Sequence, residues 1–289
     1  MNQVRKAVIP AAGFGTRFLP ASKSQPKEML PIVDTPVIQY VVEEAVESGI
    51  TDILMVIGKG KRAIEEYFDR NFELEAELVQ KGKQKELEEI KRKSDMAEVH
   101  FVWQKELKGL GDAIACARHH VGNEPFAVLL GDTLLSAESP VTAQLMRQFC
   151  KYSESVVALE EVDHDKVNRY GVIDGREIEE DVYLIRDFVE KPEIDKAPSN
   201  LAIAGRYILT PDIFDHIDST KPGINGEIQL TDAMKLLLKS KHAYGLRFNG
   251  IRYDIGNKLD FVKTNVAFAL SRDDLREEMN DYIRSISGD

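Results

Sequence analysis

Cysteine is scarce in this sequence, and that scarcity excludes several kinds of protein. The 289 residues include two cysteines, Cys116 and Cys150, which are too few for a disulfide framework. Both lie in apolar surroundings with helical spacing, so we expect buried free thiols in a reducing cytoplasm. No Cys/His cluster has the spacing of a zinc site, and the six histidines fall outside every motif, so we expect them to be structural or exposed.

Long hydrophobic runs are also missing. No apolar stretch approaches the roughly 20 residues of a membrane span. A signal peptide begins with basic residues, as this chain does at Arg5 and Lys6, but the apolar run that follows them is too short for one. A net charge of −11 argues against nucleic acid or an anionic membrane as a partner, because both are bound mainly by Lys and Arg. With 43% hydrophobic and 30% charged residues, the composition is that of a soluble globular protein.

Acidic residues are absent from the first 27 positions, although the whole chain is acidic. This segment contains a short apolar run typical of a strand, two closely spaced glycines at Gly13 and Gly15, and five basic residues: Arg5, Lys6, Arg17, Lys23 and Lys27. Glycine exposes backbone N–H groups, and Arg and Lys add donors for phosphate oxygens. The segment therefore predicts a binding site for a polyanionic small molecule.

Known phosphate-binding fingerprints do not match this loop. The position of the third glycine in a dinucleotide fingerprint is Phe18, which disfavours a dehydrogenase, and no Gly-Lys-Ser/Thr follows to make a P-loop. On the glycines alone, the alternative that they only turn the chain from a strand into the next element stays open.

Alternation of strand-like and helix-like segments predicts an α/β fold with βαβ units and a mostly parallel mixed sheet. Residues 52–58 are a buried strand, and Thr35 is predicted to cap a helix that has Pro36 at its first position. The middle third predicts a β-rich insertion of paired strands, with turns at Asp174-Gly175 and Pro192. We expect one domain over 1–289. The charged residues at 73–93 predict a helical excursion, which is either solvated or a subunit contact. Two helices are predicted at the C-terminus, at about 258–286.

Three polar residues follow predicted strands, where the crevice of a parallel sheet binds ligands. Asp132 ends the strand at 126–132 and suits Mg²⁺, with turn capping as the alternative. Asp254 ends a strand before Gly256, and a cap for the helix from Lys258 is an equal alternative. Gln104 can donate and accept at once, as a uracil edge requires, but an ordinary strand-end glutamine is the simpler interpretation without further information.

The longer motifs carry a specific resemblance. The sequence resembles the nucleotide-sugar pyrophosphorylases in three motifs: PAAGFGTRFLP, PKEMLPI and NGEIQLTDA. Within that family, the pair Ala11-Ala12 resembles the corresponding pair of the bacterial UTP–glucose-1-phosphate uridylyltransferase branch. The resemblance implies a Rossmann-like, glycosyltransferase-A-like nucleotidyltransferase fold. It also implies a Mg²⁺-dependent reaction of UTP with glucose 1-phosphate that yields UDP-glucose and pyrophosphate, and assembly as a homo-oligomer, a dimer or a tetramer.

The same resemblance implies roles for individual residues. Arg17, Lys27 and Lys191 would be catalytic, and Asp132 and Asp254 would bind the metal. The nucleotide would contact Ala11, Ala12, Gly13, Gly15, Gln104 and Gly109, and the sugar phosphate would contact Gly171, Glu190 and Lys191. Asp112 departs from the histidine that this branch commonly has, and we interpret it as an acid tolerated at a helix N-terminus.

Two alternatives to uridylyl transfer stay open at this point. The same chemistry could use dTTP or CTP, because the choice of base depends on few contacts. A non-catalytic regulatory relative could bind nucleotide sugar without turnover, although such relatives tend to lose the loop arginine that this chain keeps as Arg17.

Overall fold

A computed structural model of the protein describes residues 3–287. Its strands are β1 Lys6–Ala11, β2 Pro31–Ile32, β3 Thr35–Pro36, β4 Asp52–Ile57, β5 Glu98–Trp103, β6 Phe126–Leu129, β7 Thr133–Ser136, β8 Ser155–Glu161, β9 Gly171–Glu179, β10 Val182–Glu190, β11 Leu201–Leu209, β12 Ala243–Arg247 and β13 Ile251–Asp254. Its α-helices are α1 Val37–Glu47, α2 Arg62–Phe68, α3 Phe72–Gln80, α4 Gln84–Ser94, α5 Leu110–Ala115, α6 Arg118–Val121, α7 Val141–Tyr152, α8 Ile213–Ser219, α9 Leu230–Leu237, α10 Lys258–Ser271 and α11 Arg276–Ser287.

A nine-stranded mixed sheet organises the chain, in the order β5-β4-β1-β6-β11-β8-β12-β10-β9. The first four strands in this order are mutually parallel, as the βαβ pattern predicts, and antiparallel pairs predominate beyond β6. Ala11 pairs with Ile57, and Ile57 pairs with Trp103, so β1, β4 and β5 end at the same edge. The loops that follow these strands therefore lie side by side, which is where an α/β sheet binds ligands.

Both faces of the sheet are covered by apolar packing. Ile53, Met55 and Ile57 of β4 face one core with α1 and α7, whereas Leu54 and Val56 face the other with α5 and α9. All five side chains are at most 3% exposed, as a continuous apolar strand predicts. Burial on both faces fixes the register of β4, because a slip by one residue would exchange the two sets.

Two local sequence predictions are wrong. The N-cap of α1 is Pro36 rather than Thr35, and Val37 is the first helical residue, because Thr35 and Pro36 form β3 and pair with Ile32 and Pro31. Asp174 and Gly175 lie inside β9, and the hairpin turns instead near Asp181, whose φ is +62°. A register shift lies opposite Asp174 and Gly175, so this sequence marks a bulge rather than the end of a strand.

The cysteine prediction also needs correction. Both thiols are free, but Cys150 is exposed on the outer side of α7 and Cys116 is only partly buried. An amphipathic helix offers both faces to a cysteine, and composition alone does not select the face.

The charged excursion and the C-terminal segment are helical, as predicted. α3 and α4 are separated at Gly82, whose φ is +67°, and α10 and α11 are separated near Arg272. Among the helices within residues 3–287, none combines the length and the apolar character needed to cross a membrane.

Candidate active site

The loop after β1 is shaped around Gly15. This glycine has φ +65° and precedes a short 3-10 turn from Thr16 to Phe18. A Cβ atom here would lie 3.0 Å from the Cβ of Lys27, so glycine lets the Lys27 side chain pack against the loop. Ser22 Oγ donates to the Gly15 carbonyl at 2.7 Å and closes the loop on itself.

Lys27 and Asp132 form an ion pair at the end of the parallel strands. Lys27 Nζ donates to Asp132 Oδ2. Burial disfavours the charged form of each group, but the attraction of Lys27 outweighs it for Asp132 and leaves the pKa of that carboxyl lowered. Likewise, burial is outweighed by Asp132 and Glu28, and the pKa of Lys27 is raised. Both groups are therefore charged at neutral pH, and Arg17 adds a further positive field at Asp132.

A second, fully buried pair lies beneath the first, and sequence reasoning missed it. Lys61 Nζ donates to Glu28 Oε2 at 2.7 Å, with side-chain exposures of 5% and 1%. Burial raises the pKa of Glu28 and lowers that of Lys61. Glu28 lies within the PKEMLP motif, so the motif was a signal for it, whereas nothing in the sequence marks Lys61.

Asp254 is brought next to Asp132 by a small two-stranded sheet. In the antiparallel pair of β7 and β13, Asp254 is the partner of Thr133, the residue after Asp132. The carboxylate of Asp254 accepts from the Gly256 N–H at 2.8 Å and from Tyr170 Oη at 3.0 Å. The cap of α10 is Asn257, whose side chain accepts from the Asp260 N–H, so Asp254 does not cap that helix.

Glu190 and Lys191 end β10 in a constrained turn. Lys191 has φ +45°, and its Nζ lies 3.0 Å from Glu190 Oε1. The other carboxylate oxygen of Glu190 accepts from Thr231 Oγ1 at 2.7 Å. Gly171 is the strand partner of Glu190, and a Cβ atom there would lie 3.1 Å from Thr231 Oγ1 and 3.2 Å from Glu190 Oε2. Glycine at this position therefore lets the strand pack closely against the Thr231 and Glu190 side chains.

One cleft of about 1050 Å³ joins several of these groups. Arg17, Lys191 and Asp254 all line it, together with Tyr170 and Arg252. The Arg252 guanidinium lies 4.5 Å from the centre of the Tyr170 ring and 3.9 Å from Asp254 Oδ2. Sequence reasoning missed Tyr170 and Arg252, although Arg252 belongs to the IRYDIGN segment and Tyr170 precedes Gly171.

Gln104 lies apart from that cleft, at the end of β5. Its side chain is 6% exposed, and Nε2 donates to Asp112 Oδ2 at 2.7 Å and to the Gly109 carbonyl at 3.2 Å. A carboxylate only accepts hydrogen bonds, so the contact with Asp112 assigns the orientation of the Gln104 amide. Within residues 3–287, Oε1 receives no hydrogen bond and can accept one from a ligand. Asp112 lies in the first turn of α5, as predicted, and it also orients Gln104.

Gly109 owes its identity to packing within the protein. Its φ is +102°, and a Cβ atom would lie 2.7 Å from the Ile228 carbonyl oxygen. The segment pairs with the GEIQLTDA motif, since Ile228 N–H donates to the Lys108 carbonyl and Gly111 N–H donates to the Ile228 carbonyl. Packing is therefore sufficient to require glycine at position 109, which the resemblance assigns to a nucleotide contact.

The remaining loop residues lie at the shared edge of the parallel strands. Ala11 and Ala12 are buried, and the Ala12 carbonyl lies 2.8 Å from the position of a Cβ on Gly58, which follows β4. Gly13 is exposed and has no neighbour within 4 Å of a Cβ position. At this edge of the sheet, the exposed backbone at Gly13 thus lies between Gln104 and the Lys27–Asp132 pair.

The chain is similar in sequence and in fold to proteins of one known family. The nucleotidyl transferase family model matches residues 6–270. UTP–glucose-1-phosphate uridylyltransferase 1 of Staphylococcus saprophyticus subsp. saprophyticus is 51% identical over 285 residues, 99% of each chain. The Bacillus subtilis UTP–glucose-1-phosphate uridylyltransferase is 50% identical over 286 residues, 99% of this chain and 98% of that protein. A UDP-glucose pyrophosphorylase solved with UDP-glucose has a TM-score of 0.86 at 46% identity and covers 93% of this chain and 100% of its own.

The chain belongs to the nucleotidyl transferase family. Within that family it groups with the UTP–glucose-1-phosphate uridylyltransferases, because the similarity extends over the full length of those relatives.

Proposed function

We propose that this protein transfers the uridylyl group of UTP to α-D-glucose 1-phosphate, which forms UDP-glucose and releases pyrophosphate. The observation that carries the proposal is the meeting of Arg17, Lys191 and Asp254 in one cleft, next to the Lys27–Asp132 pair. Two phosphate-bearing substrates repel each other, and this cleft supplies cations for both and carboxylates for a divalent ion.

The nucleophile is an oxygen of the glucose 1-phosphate, which attacks the α-phosphorus of UTP while pyrophosphate leaves in line. This oxygen is already anionic, so the reaction needs no general base. The protein's task is to hold the reactants in line and to neutralise charge. The histidines are consistent with this, because none lines the cleft among the described residues.

Each cation has a separate task in this proposal. Arg17, exposed in the loop after β1, binds the leaving β- and γ-phosphates and stabilises the charge that develops on them. Lys27 neutralises the α-phosphate region, and its raised pKa keeps it charged. Lys191 binds the phosphate of the sugar and orients the attacking oxygen, which its position at the end of β10 allows.

Glu190 binds the sugar in this proposal. Its carboxylate accepts from the glucose hydroxyls while Thr231 holds it in place at 2.7 Å. Gly171, the strand partner of Glu190, places its backbone against the sugar in this proposal.

The residues at this site fit a magnesium ion. Asp132 and Asp254 offer carboxylate oxygens, the ligand type that Mg²⁺ prefers, and the pairing of β7 with β13 keeps the two residues adjacent. When bound, Mg²⁺ would supply neutralising charge at the reacting phosphates.

Gln104 reads the base in this proposal. Its Nε2 is engaged by Asp112, so the free Oε1 accepts the N3–H of uracil. Thymine has the same N3–H, whereas cytosine presents an acceptor at N3, so CTP is disfavoured at this contact. Ala11, Ala12, Gly13, Gly15 and Gly109 complete the nucleotide site through their backbone.

We also propose that the protein is a cytoplasmic homo-oligomer, a dimer or a tetramer. The C-terminal helices support this because they expose apolar side chains: Leu259 (63%), Val262 (58%), Tyr282 (59%) and Ile286 (66%). Light scattering after size-exclusion chromatography gives the mass, and a monomer at micromolar concentration would contradict the proposal.

The decisive experiment incubates the protein with Mg²⁺, each nucleoside triphosphate and each hexose 1-phosphate, and identifies the product by mass. We expect UDP-glucose and pyrophosphate. Arg17→Ala should lower kcat by about 10²–10³, by analogy with other donors that stabilise transition-state charge. Lys23→Ala, in the same loop and equally exposed, should retain activity. Binding of UDP-glucose without release of pyrophosphate would identify a regulatory protein instead.

A further inference from the structure

A cluster of metal-binding side chains lies at the opposite end of the parallel strands from the cleft. Asp52 is the first residue of β4, His100 lies on β5 and His120 lies on α6. One ligand atom from each falls within 4.8 Å of the others. His120 Nε2 lies 2.7 Å and His100 Nε2 lies 3.9 Å from the same oxygen, Asp52 Oδ1.

The strand register and a lysine hold the three residues together. Asp52 pairs with Glu98, so His100, two residues further along β5, projects from the same face as Glu98. Lys6 pairs with Asp52 from the other side, and its Nζ donates to the His120 carbonyl at 2.9 Å, which fixes α6 against β1. Glu124 lies 2.7 Å from Lys6 Nζ and neutralises the charge that would otherwise repel a cation.

We propose that Asp52, His100 and His120 form a second metal site, which binds a divalent transition metal such as Zn²⁺. Two imidazole nitrogens, one carboxylate oxygen and one water make a tetrahedral zinc site, with bonds of about 2.0–2.2 Å. Such bonds separate neighbouring ligand atoms by roughly 3.4 Å. The observed separations of 2.7 and 3.9 Å lie on either side of that value, so shifts below about 1 Å suffice.

The chemistry separates this site from the magnesium site. Imidazole suits zinc and its neighbours in the first transition row, whereas Mg²⁺ prefers oxygen ligands and keeps its waters. The six residues of β4 also place the cluster roughly 17 Å from the ligand-binding edge. Zn²⁺ bound here therefore leaves the cleft open to its substrates.

Solvent reaches the cluster, which leaves room for a water ligand and for entry of the ion. The exposed fractions are 50% for the His100 side chain, 24% for His120 and 33% for Asp52. A bound ion would join β4, β5 and α6, three elements separated by up to 68 positions in sequence. Metal binding to the folded chain should therefore raise its melting temperature.

The test is calorimetric titration of the full chain with Zn²⁺ at pH 7.5 in the presence of millimolar Mg²⁺. We expect one Zn²⁺ per chain and a rise in Tm. His100→Ala should weaken the affinity at least tenfold and abolish the rise in Tm. The control His242→Ala removes an exposed histidine elsewhere and should behave like wild type. Co²⁺ should give the intense visible bands of tetrahedral coordination in wild type and lose them in His100→Ala.

Two results would overturn the proposal: no Zn²⁺ binding to wild type, or equal binding to wild type and His100→Ala. Uridylyl transfer with Mg²⁺ serves as the folding control, because His100 is half exposed and has no role at the cleft. If the transfer activity itself were absent from wild type, the proposed function would fail while the zinc measurement would still decide this site.

Discussion

Glu44 on α1 is a buried charge whose loss should strongly reduce the stability of this fold. Its carboxylate is 7% exposed and accepts from Arg206 Nε at 2.9 Å, from Thr142 N–H at 3.0 Å and from Thr142 Oγ1 at 2.7 Å. Arg206 is 1% exposed. The variant Glu44→Leu fills similar space but leaves the guanidinium without its counter-charge in the core.

Breaking a buried pair on one side typically costs about 3–5 kcal/mol, because the remaining charge is left uncompensated. For a chain of this size, each kcal/mol lowers Tm by about 2 °C, so we expect a loss of about 6–10 °C. Glu47→Gln is the matched control, since Glu47 is an exposed residue on the same helix and should change the free energy of unfolding by less than about 0.5 kcal/mol.

The assay is urea unfolding followed by circular dichroism, with thermal unfolding in parallel. The double variant Glu44→Leu/Arg206→Met removes both charges and should recover much of the loss, because apolar replacements of a buried pair are often neutral. Either of two results would refute the reasoning. One is a loss below about 1 kcal/mol in the free energy of unfolding of Glu44→Leu. The other is a loss for the double variant that exceeds the sum of the losses for the two single variants.

Two further predictions concern the site itself. In Lys27→Met, burial without a counter-charge should raise the pKa of Asp132 above its ordinary 3.8 instead of lowering it. The group then favours the folded state only at low pH, so the loss in free energy of unfolding should be larger at pH 7.5 than at pH 4.5. Lys23→Met is the control, and equal losses at both pH values would contradict the assignment. Gly171→Ala should disturb the Thr231–Glu190 contact and raise the KM for glucose 1-phosphate roughly fivefold, about 1 kcal/mol. Steady-state kinetics check this, and a changed KM for UTP alone would place Gly171 elsewhere.

The parallel half of the sheet is predictable from the sequence because its signals are local. The apolar run at 52–58 becomes β4, and Gln104 follows β5 at the expected place. A strand buried on both faces must be continuously apolar, so hydrophobicity alone identifies it.

The errors arise where a turn signal has a second meaning. Asp174-Gly175 is a common turn sequence, yet here it lies inside β9, opposite a bulge in β10. Gly109 likewise packs against the Ile228 backbone, a contact that the local sequence does not predict. Both outcomes depend on a partner segment distant in sequence, which no local pattern reports.

The two carboxylates proposed for magnesium show the same limit at the site. Asp132 and Asp254 are separated by 122 positions, and each on its own has an ordinary structural explanation. The pairing of β13 with β7 places Asp254 opposite Thr133, and on this pairing we base the proposal that the two carboxylates form one site. Arg206 strengthens the arrangement, since its Nη2 donates to the Thr133 carbonyl at 2.8 Å while its Nε donates to Glu44 Oε2 at 2.9 Å. The buried pair that stabilises the core thus also positions the loop that carries Asp132.

We therefore expect Glu44→Leu to lower kcat at a temperature where the variant is still fully folded, with the KM for glucose 1-phosphate little changed. A kcat equal to that of Glu47→Gln under those conditions would separate the stability of the core from the geometry of the site.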